Sequence, residues 1–139
     1  MPQSTPQTEI MLEHPDAGAV AAAMAVLDAH MVALNARDQQ ALVATLHFPH
    51  YRLTGGRMQV WERPDAYLGD FYARAGGGWD HSAWDFRNVV VAGPDKVHLD
   101  VQFSRYRADG SLLGRFRSLW IVTCIAGRWA AQARSSFAA

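Results

Sequence analysis

The hydrophobic pattern changes its period in the middle of the chain, and this change constrains the fold more than any other feature. In the first half, apolar residues recur at spacings of four and three, which predicts one face of a helix: Val20, Met24, Leu27, Met31 and Leu34. In the second half, apolar and polar residues alternate, as in strands with one buried face, over 81–92, 96–108, 111–125 and 128–138. This order predicts an α+β fold, with three N-terminal helices packed on a curved, mostly antiparallel sheet.

Capping and helix-breaking residues set the bounds of the predicted helices. Asp16 is placed to cap the first helix, and Asp38 to cap a short second helix that carries Leu46 and stops at Pro49. Pro64 suits the first position of a third helix. Turn sequences at 54–57, 93–96, 109–110 and 126–127 then predict the hairpins.

These turns set a strand register that sorts the side chains onto two faces of the sheet. The register pairs Phe103 with Phe116 and with Phe86, Val101 with Asn88, and Trp120 with Ala133. One face is then mainly apolar: Trp84, Phe86, Asn88, Val90, Leu99, Val101, Phe103, Phe116, Ser118, Trp120, Val122, Cys124, Trp129 and Phe137. The opposite, outer face is polar: Asp85, Arg87, His98, Asp100, Gln102, Arg115, Arg117, Gln132 and Arg134.

The composition excludes several classes of protein. Thirteen basic residues balance thirteen acidic ones, so we expect neither a nucleic acid nor a membrane surface as partner, because both attract a positive excess. Cys124 is the single cysteine, which rules out an intrachain disulfide. No targeting segment and no run of membrane-spanning length stands out, so we expect a cytoplasmic protein. Residues 1–14 are expected to form a flexible tail before one domain at 15–139.

Three segments resemble parts of a known family: the turn at 36–38, the strand Leu119–Thr123 and the closing strand Gly127–Phe137. Together with the order of helices and strands, they make residues 15–138 similar to the nuclear transport factor 2-like superfamily, which includes SnoaL-like and ketosteroid-isomerase-like proteins. The resemblance implies a cone-shaped α+β barrel with an apolar pocket between the helices and the sheet. It also implies a homodimer, often joined through the outer sheet faces.

The carboxylates that serve catalysis in this superfamily have no evident counterpart here. Ketosteroid-isomerase-like enzymes place an aspartate base after the second helix, and residues 47–60 contain no carboxylate. The register also puts Asp100 on the outer face. The Asp–Arg–Asp arrangement of epoxide-hydrolase members is likewise missing from the apolar face. An isomerase of the usual kind is therefore disfavoured.

The remaining candidates centre on the segment from His47 to Arg52. His50 and Tyr51 are the candidate catalytic residues, as base and proton donor, and Arg52 is a candidate anion clamp. The alternative is that His47 ends the second helix and the others make surface contacts. Further candidate ligand-binding residues are His30, His47, Arg57, Trp61, Tyr67, Phe71, Trp84, Asn88, Ser118, Trp120 and Ser135. Because the six histidines are scattered, we expect no metal and no cofactor.

Two functions remain open from the sequence. The first is a small-molecule-binding protein with an aromatic-lined pocket, with isomerase, cyclase or hydratase chemistry on small hydrophobic compounds as the enzymatic option. The second is a non-catalytic dimerisation module with a vestigial pocket. In either case the mixed charges of the outer face suit a two-fold contact, formed by Arg87, Asp100, Gln102, Arg115, Arg117, Gln132 and Arg134.

Overall fold

The computed structural model of the protein describes residues 16–137, so the predicted tail at 1–14 lies outside the described residues. Its helices are α1 (Ala17–Ala36), α2 (Gln39–Val43) and α3 (Tyr67–Ala75), the last preceded by a 3₁₀ turn at Pro64–Ala66. Its strands are β1 (Leu46–Thr54), β2 (Arg57–Trp61), β3 (His81–Ala92), β4 (Lys96–Tyr106), β5 (Leu112–Ile125) and β6 (Arg128–Ser136). The α+β class and the order of helices and strands are confirmed.

Helix α1 is the long helix that the spacing of apolar residues predicts. It ends where Arg37 takes a left-handed conformation and donates its backbone N–H to the carbonyls of Ala33 and Leu34. Contrary to the expectation from sequence, this helix is long and apolar enough to cross a bilayer, with a mean hydropathy of 1.7. Its buried side chains face the core instead: Ala19, Val20, Ala23, Val26, Leu27, His30, Ala33 and Leu34.

The predicted second helix is too long at its C-terminal end. Asp38 caps it as expected, accepting a hydrogen bond from the Ala41 backbone N–H, but α2 ends at Val43. The next residues belong to the sheet, since the Thr45 carbonyl accepts a hydrogen bond from the N–H of Ala131 in β6. Leu46 therefore starts a strand, because pairing with a distant strand overrides the local preference for helix.

All six strands form one sheet in the order β2-β1-β6-β5-β4-β3, in which β1 and β6 are parallel and the other pairs antiparallel. Strands β2 and β3 form its edges, so the sheet is not closed into the barrel that the resemblance implies. The predicted pairing of Phe103 with Phe116 is confirmed, as is that of Cys124 with Trp129. The helices contact one face of this sheet, here called the inner face.

Two bulges in β3 overturn part of the predicted register. Asn88 lies opposite Asp100 and not opposite Val101, because the pairing slips by one residue between Val89 and Val91. A slip of one residue turns each following side chain to the other face. Asn88 is therefore on the outer face, and Arg87 points inward to form an ion pair with Asp28 of α1. The predicted faces of both residues are wrong.

A bulge in β6 has the same effect on a second segment. Gln132 is an extra residue in the ladder, so Trp120 lies opposite Arg134, one residue beyond its predicted partner. Arg134 consequently shares the inner face with Trp120, and the buried Ser136 follows on the same face. Ser135 turns outward. The predicted outer position of Arg134 and the predicted inner position of Ser135 are both wrong.

Candidate functional site

A small cavity lies between α1, α3 and the inner face of the sheet. Its volume is about 30 Å³, and we call it the inner cavity. Its wall combines aromatic, aliphatic and polar side chains: His30, Met31, Leu34, Arg52, Tyr67, Phe71, Arg74, Ser82, Trp84, Phe103, Arg105, Trp120, Arg134 and Ser136. An interior space of this size holds about one or two water molecules.

A larger depression lies next to the inner cavity, and we call it the outer recess. Its volume is about 390 Å³. Arg52 and Arg74 line both spaces, so their side chains form the boundary between them. The recess also contains Arg57 and Asp70, and the carboxylate of Asp70 accepts a hydrogen bond of 2.8 Å from Trp61 Nε1.

Four arginines from four different elements line the inner cavity, and we call them the arginine cluster: Arg52 of β1, Arg74 of α3, Arg105 of β4 and Arg134 of β6. Arg52 and Arg105 are only 4% and 5% exposed. Within the described residues, neither an aspartate nor a glutamate lines this cavity. Burying several charges of one sign along one wall is costly, which makes the cluster the most unusual feature of the described structure.

Burial and mutual repulsion weaken the basicity of the arginine cluster without removing its charge. Burial, together with the charges of Arg74 and Arg134, lowers the pKa of Arg105 to about 10. Burial is also the main cause that lowers the pKa of Arg52 and of Arg134 to about 10. All three values lie above neutral pH, so each guanidinium stays protonated there.

His50 positions Arg134 and does not line the inner cavity. Its Nδ1 donates a hydrogen bond of 3.0 Å to the Ala131 carbonyl, which leaves Nε2 to accept one of 3.2 Å from Arg134 Nε. Burial and then the charge of Arg134 lower the pKa of His50 to about 2. The imidazole is therefore neutral at pH 7, and Arg134 is held in place by a partner that leaves its charge uncompensated.

His30 reaches the inner cavity from α1 and is also held as a neutral imidazole. The Thr45 hydroxyl donates to the Leu42 carbonyl over 2.6 Å, so it accepts from His30 Nδ1 over 2.9 Å. That tautomer leaves His30 Nε2 unprotonated, as an acceptor on the cavity wall. Burial, Arg134 and Arg74 lower the pKa of His30 to about 3.

Aromatic rings hold the guanidinium groups of the cluster. The guanidinium carbon of Arg134 lies 5.6 Å from the Tyr67 ring and 5.2 Å from the Trp120 ring. That of Arg105 is surrounded by the rings of Phe71, Phe103 and Phe116, at 5.4, 5.5 and 4.7 Å. A cation over a ring face is stabilised by the ring quadrupole, so these contacts offset part of the cost of burying the charges.

The structure brings some of the sequence-predicted residues to this region and leaves others outside it. Six line the inner cavity: His30, Arg52, Tyr67, Phe71, Trp84 and Trp120. Arg57 lines the recess, while His50 and Trp61 pack against Tyr67. Five lie elsewhere: His47, Tyr51, Asn88, Ser118 and Ser135.

Local contacts explain why some of these residues lie elsewhere. Tyr51 alternates with Arg52 along β1 and points to the opposite face. His47 is buried between the Thr123 carbonyl, at 3.0 Å, and Arg128, at 3.1 Å. Ser118 is likewise buried, and its hydroxyl donates to the Ser135 carbonyl over 3.0 Å. Among the described residues, no group of three possible metal ligands comes together.

Sequence reasoning missed Arg74, Arg105 and Arg134 as cavity residues. Arg105 had an available signal, since it lies two residues after Phe103 in a strand whose alternation is regular at that point. The sequence contains no such signal for Arg134, because the bulge at Gln132 does not change the hydrophobic pattern. Arg74 lies on a short amphipathic helix whose rotation the sequence alone does not define.

Solved structures place this arrangement of helices and sheet among cystatin-like folds of the NTF2-like type. An NTF2-like protein from Novosphingobium aromaticivorans matches with a TM-score of 0.71 at 12% identity, over 98% of this chain and 92% of that chain. A protein of unknown function from Nostoc punctiforme matches with a TM-score of 0.70 at 13% identity, over 86% and 90%. A ketosteroid isomerase-like protein from Erwinia carotovora atroseptica matches with a TM-score of 0.62 at 19% identity, over 85% and 94%.

A family model narrows this class further. The model of the NTF2-like protein family DUF6841 matches residues 21–133, which is most of the chain, and the protein belongs to that family. No curated protein matches the chain. The resemblance inferred from sequence is thus confirmed at the level of fold and family.

Proposed function

We propose that this protein binds a small molecule in the inner cavity. The observation that carries the proposal is the composition of the cavity wall, where aromatic rings surround polar groups without hydrogen-bond partners. Trp120 is 2% exposed, and its indole N–H has no partner. Buried donors are normally paired, and apolar walls with a few convergent polar groups are typical of ligand sites.

Entry of a ligand requires a side chain to move, because the inner cavity has room for only about two water molecules. Arg74 is the side chain placed to do so. It forms part of the boundary with the outer recess, and its guanidinium carbon lies over the rings of Trp61, Tyr67 and Phe71 at 5.4, 5.8 and 5.6 Å. Among the residues that the structure describes, no carboxylate forms an ion pair with it. Its displacement would join the two spaces into one site.

The proposal is one of binding, and we assign no reaction to the site. A proton-transfer reaction of the ketosteroid isomerase-like kind uses a carboxylate base, which the described wall of the cavity does not contain. His30 Nε2 is an unprotonated nitrogen on that wall, but burial and the nearby arginines lower the pKa of His30 to about 3, which makes it a weak base. We therefore do not extend the proposal to isomerase, cyclase or hydratase chemistry.

A cavity-filling substitution with a matched control tests the proposal. Ser136→Leu places an apolar side chain in the inner cavity, while Ser135→Leu places the same side chain on the outer face one residue earlier. In a thermal-shift screen with hydrophobic acids and aromatic ketones, we expect compounds that raise Tm of the wild type and of Ser135→Leu but not of Ser136→Leu. Circular dichroism checks that both variants fold.

Two results would count against binding in the inner cavity. One is a screen in which no compound raises Tm of the wild type. The other is a set of hits whose effect survives Ser136→Leu unchanged, since those compounds would bind elsewhere.

We also propose that the outer face forms a homodimer contact, because apolar side chains remain uncovered there. Leu119 is 47% exposed and Val91 55% exposed, and an apolar face of this kind suits a self-complementary contact. Light scattering should give twice the monomer mass for the wild type and the monomer mass for Leu119→Glu. Val32→Glu on α1 is the control and should remain dimeric. A monomeric wild type would contradict this second proposal.

A further inference from the structure

We propose that the ligand of the inner cavity is an organic oxyanion, a carboxylate or a phosphate on an apolar or aromatic body, bound by the guanidinium groups of Arg105 and Arg134. This inference rests on the proposed function and specifies the class of ligand. Arginine presents a planar pair of N–H donors that matches the two oxygens of such a group.

The first argument is the separation of charge between the inner cavity and the rest of the domain. Asp70 is the carboxylate that lines the outer recess, and it is engaged by Trp61. Asp28 pairs with Arg87 at the helix surface, and Asp100 pairs with Arg117 on the outer face. Among the described residues, no carboxylate therefore forms an ion pair with Arg105 or Arg134, and a bound anion would supply that counterion.

The second argument is that the cluster retains unused hydrogen-bond donors. Arg105 Nε, Arg134 Nη2 and both Nε and Nη1 of Arg74 are buried without a partner. The indole N–H of Trp120 joins them on the same wall. An oxyanion accepts several hydrogen bonds at once, so one ligand group could pair donors that come from three strands and a helix.

The third argument is that neutral groups hold Arg134 in place. His50 accepts from its Nε, and the rings of Tyr67 and Trp120 lie 5.6 and 5.2 Å from its guanidinium carbon. A partner carboxylate would fix the guanidinium equally well, but it would cancel the charge. Positioning by an imidazole and two rings keeps both the orientation and the full positive charge available to a ligand.

The body of the ligand follows from the remaining wall. Phe103 and Trp84 lie in edge-to-face contact at 6.2 Å, and Phe71 lines the cavity from α3. His30 Nε2 adds one acceptor. An aromatic or branched acid fits this wall better than an inorganic anion, because the rings would bury its apolar part.

Matched acids and amides test the inference. Benzoate, phenylacetate and cinnamate are compared by calorimetry with their neutral amides, and phenyl phosphate with inorganic phosphate. We expect at least one acid to bind ten or more times as tightly as its amide. Phenyl phosphate should compete with that acid if the site accepts phosphates, and inorganic phosphate should bind more weakly than either.

Substitutions then assign the effect to the cluster. Arg105→Gln should weaken the preferred acid at least tenfold and change the affinity of its amide little, whereas Arg117→Gln on the outer face should change neither. Arg134→Lys keeps the charge but loses the planar pair of donors, and it should weaken the acid in a chain whose Tm is close to that of the wild type. This second variant keeps the test decisive if Arg105→Gln does not fold.

The outcomes separate the two proposals. If amides bind as tightly as acids, and neither arginine variant distinguishes them, the oxyanion inference fails while ligand binding in the cavity stands. If neither acids nor amides nor phosphates bind, and the wider thermal-shift screen also gives no hit, both proposals fail.

Discussion

Arginines lie on both faces of the sheet, but they are bound in different ways. On the outer face, Arg117 forms two hydrogen bonds with Asp100, at 2.8 and 2.7 Å, and its guanidinium carbon lies 5.0 Å from the Phe86 ring. In the inner cavity, Arg105 and Arg134 contact aromatic rings and a neutral histidine. Asp100 thus compensates the charge of Arg117, whereas no described carboxylate compensates that of Arg105 or Arg134.

This difference shows that a zero net charge can conceal a strong local field. Thirteen basic and thirteen acidic residues cancel over the whole chain, yet the described carboxylates lie outside the inner cavity. The sequence-based interpretation attributed the arginines to a neutralised outer surface. The structure supports that interpretation for Arg117 and contradicts it for Arg87 and Arg134, which lie on the inner face.

The largest expected difference between the two faces is in packing. Leu99 is fully buried on the inner face, whereas Leu119 is 47% exposed on the outer face. In the separated subunit, Leu99→Ala should lower the free energy of unfolding by about 2–5 kcal/mol, and Leu119→Ala by about 0.5 kcal/mol or less. Urea denaturation of the monomeric Leu119→Glu background for Leu99→Ala, and of Leu119→Ala at a protein concentration that keeps it monomeric, measures both. Equal losses would mean that the outer face of one subunit is as well packed as its core.

The second largest expected effect is a loss of stability in acid, through the two histidines buried on the inner side of the sheet. The folded-state pKa values of His30 and His50, about 3 and about 2, lie below the ordinary value of 6.5. Between those limits the unfolded chain binds more protons, so stability is fully present above pH 6.5 and falls as the pH drops. The loss is up to about 1.4 kcal/mol per pH unit for each histidine.

Denaturation curves at pH 7, 6 and 5 measure this loss. His30→Gln removes one of the two titrations, and the remaining slope should be about half as steep. An unchanged stability between pH 7 and 5 would show that these histidines are solvated in the folded protein.

The smallest expected effect compares one arginine from each face. Arg105→Met removes a buried charge whose Nε has no hydrogen-bond partner, and it leaves a flexible apolar chain among three phenylalanine rings. We expect the free energy of unfolding to rise by about 1 kcal/mol, because a buried unpaired donor is lost. Arg117→Met should instead lower Tm slightly, since it breaks the pair with Asp100. Destabilisation by Arg105→Met would show that its charge contributes to folding.

The fold could be predicted where the hydrophobic pattern is regular. The site could not be predicted where a bulge shifts the pairing of the strands. The pairing of Phe103 with Phe116 follows from counting outward from a tight turn, and it is present. Counting fails beyond Gln132, because an extra residue in one strand shifts the pairing of every residue after it. Where that extra residue falls depends on how β6 pairs with β1 and β5 together. Arg134 enters the cavity through that bulge, so its role depends on tertiary structure.

The placement of Arg134 against Trp120 has a practical consequence. A cation close to an indole ring interacts electrostatically with that ring. The Trp84 ring lies 5.5 Å from the Trp120 ring in edge-to-face contact. Any molecule that enters the cavity changes the surroundings of both indoles at once. The protein therefore carries an intrinsic optical reporter at its candidate site, and the emission of its own tryptophans can follow occupancy without a label.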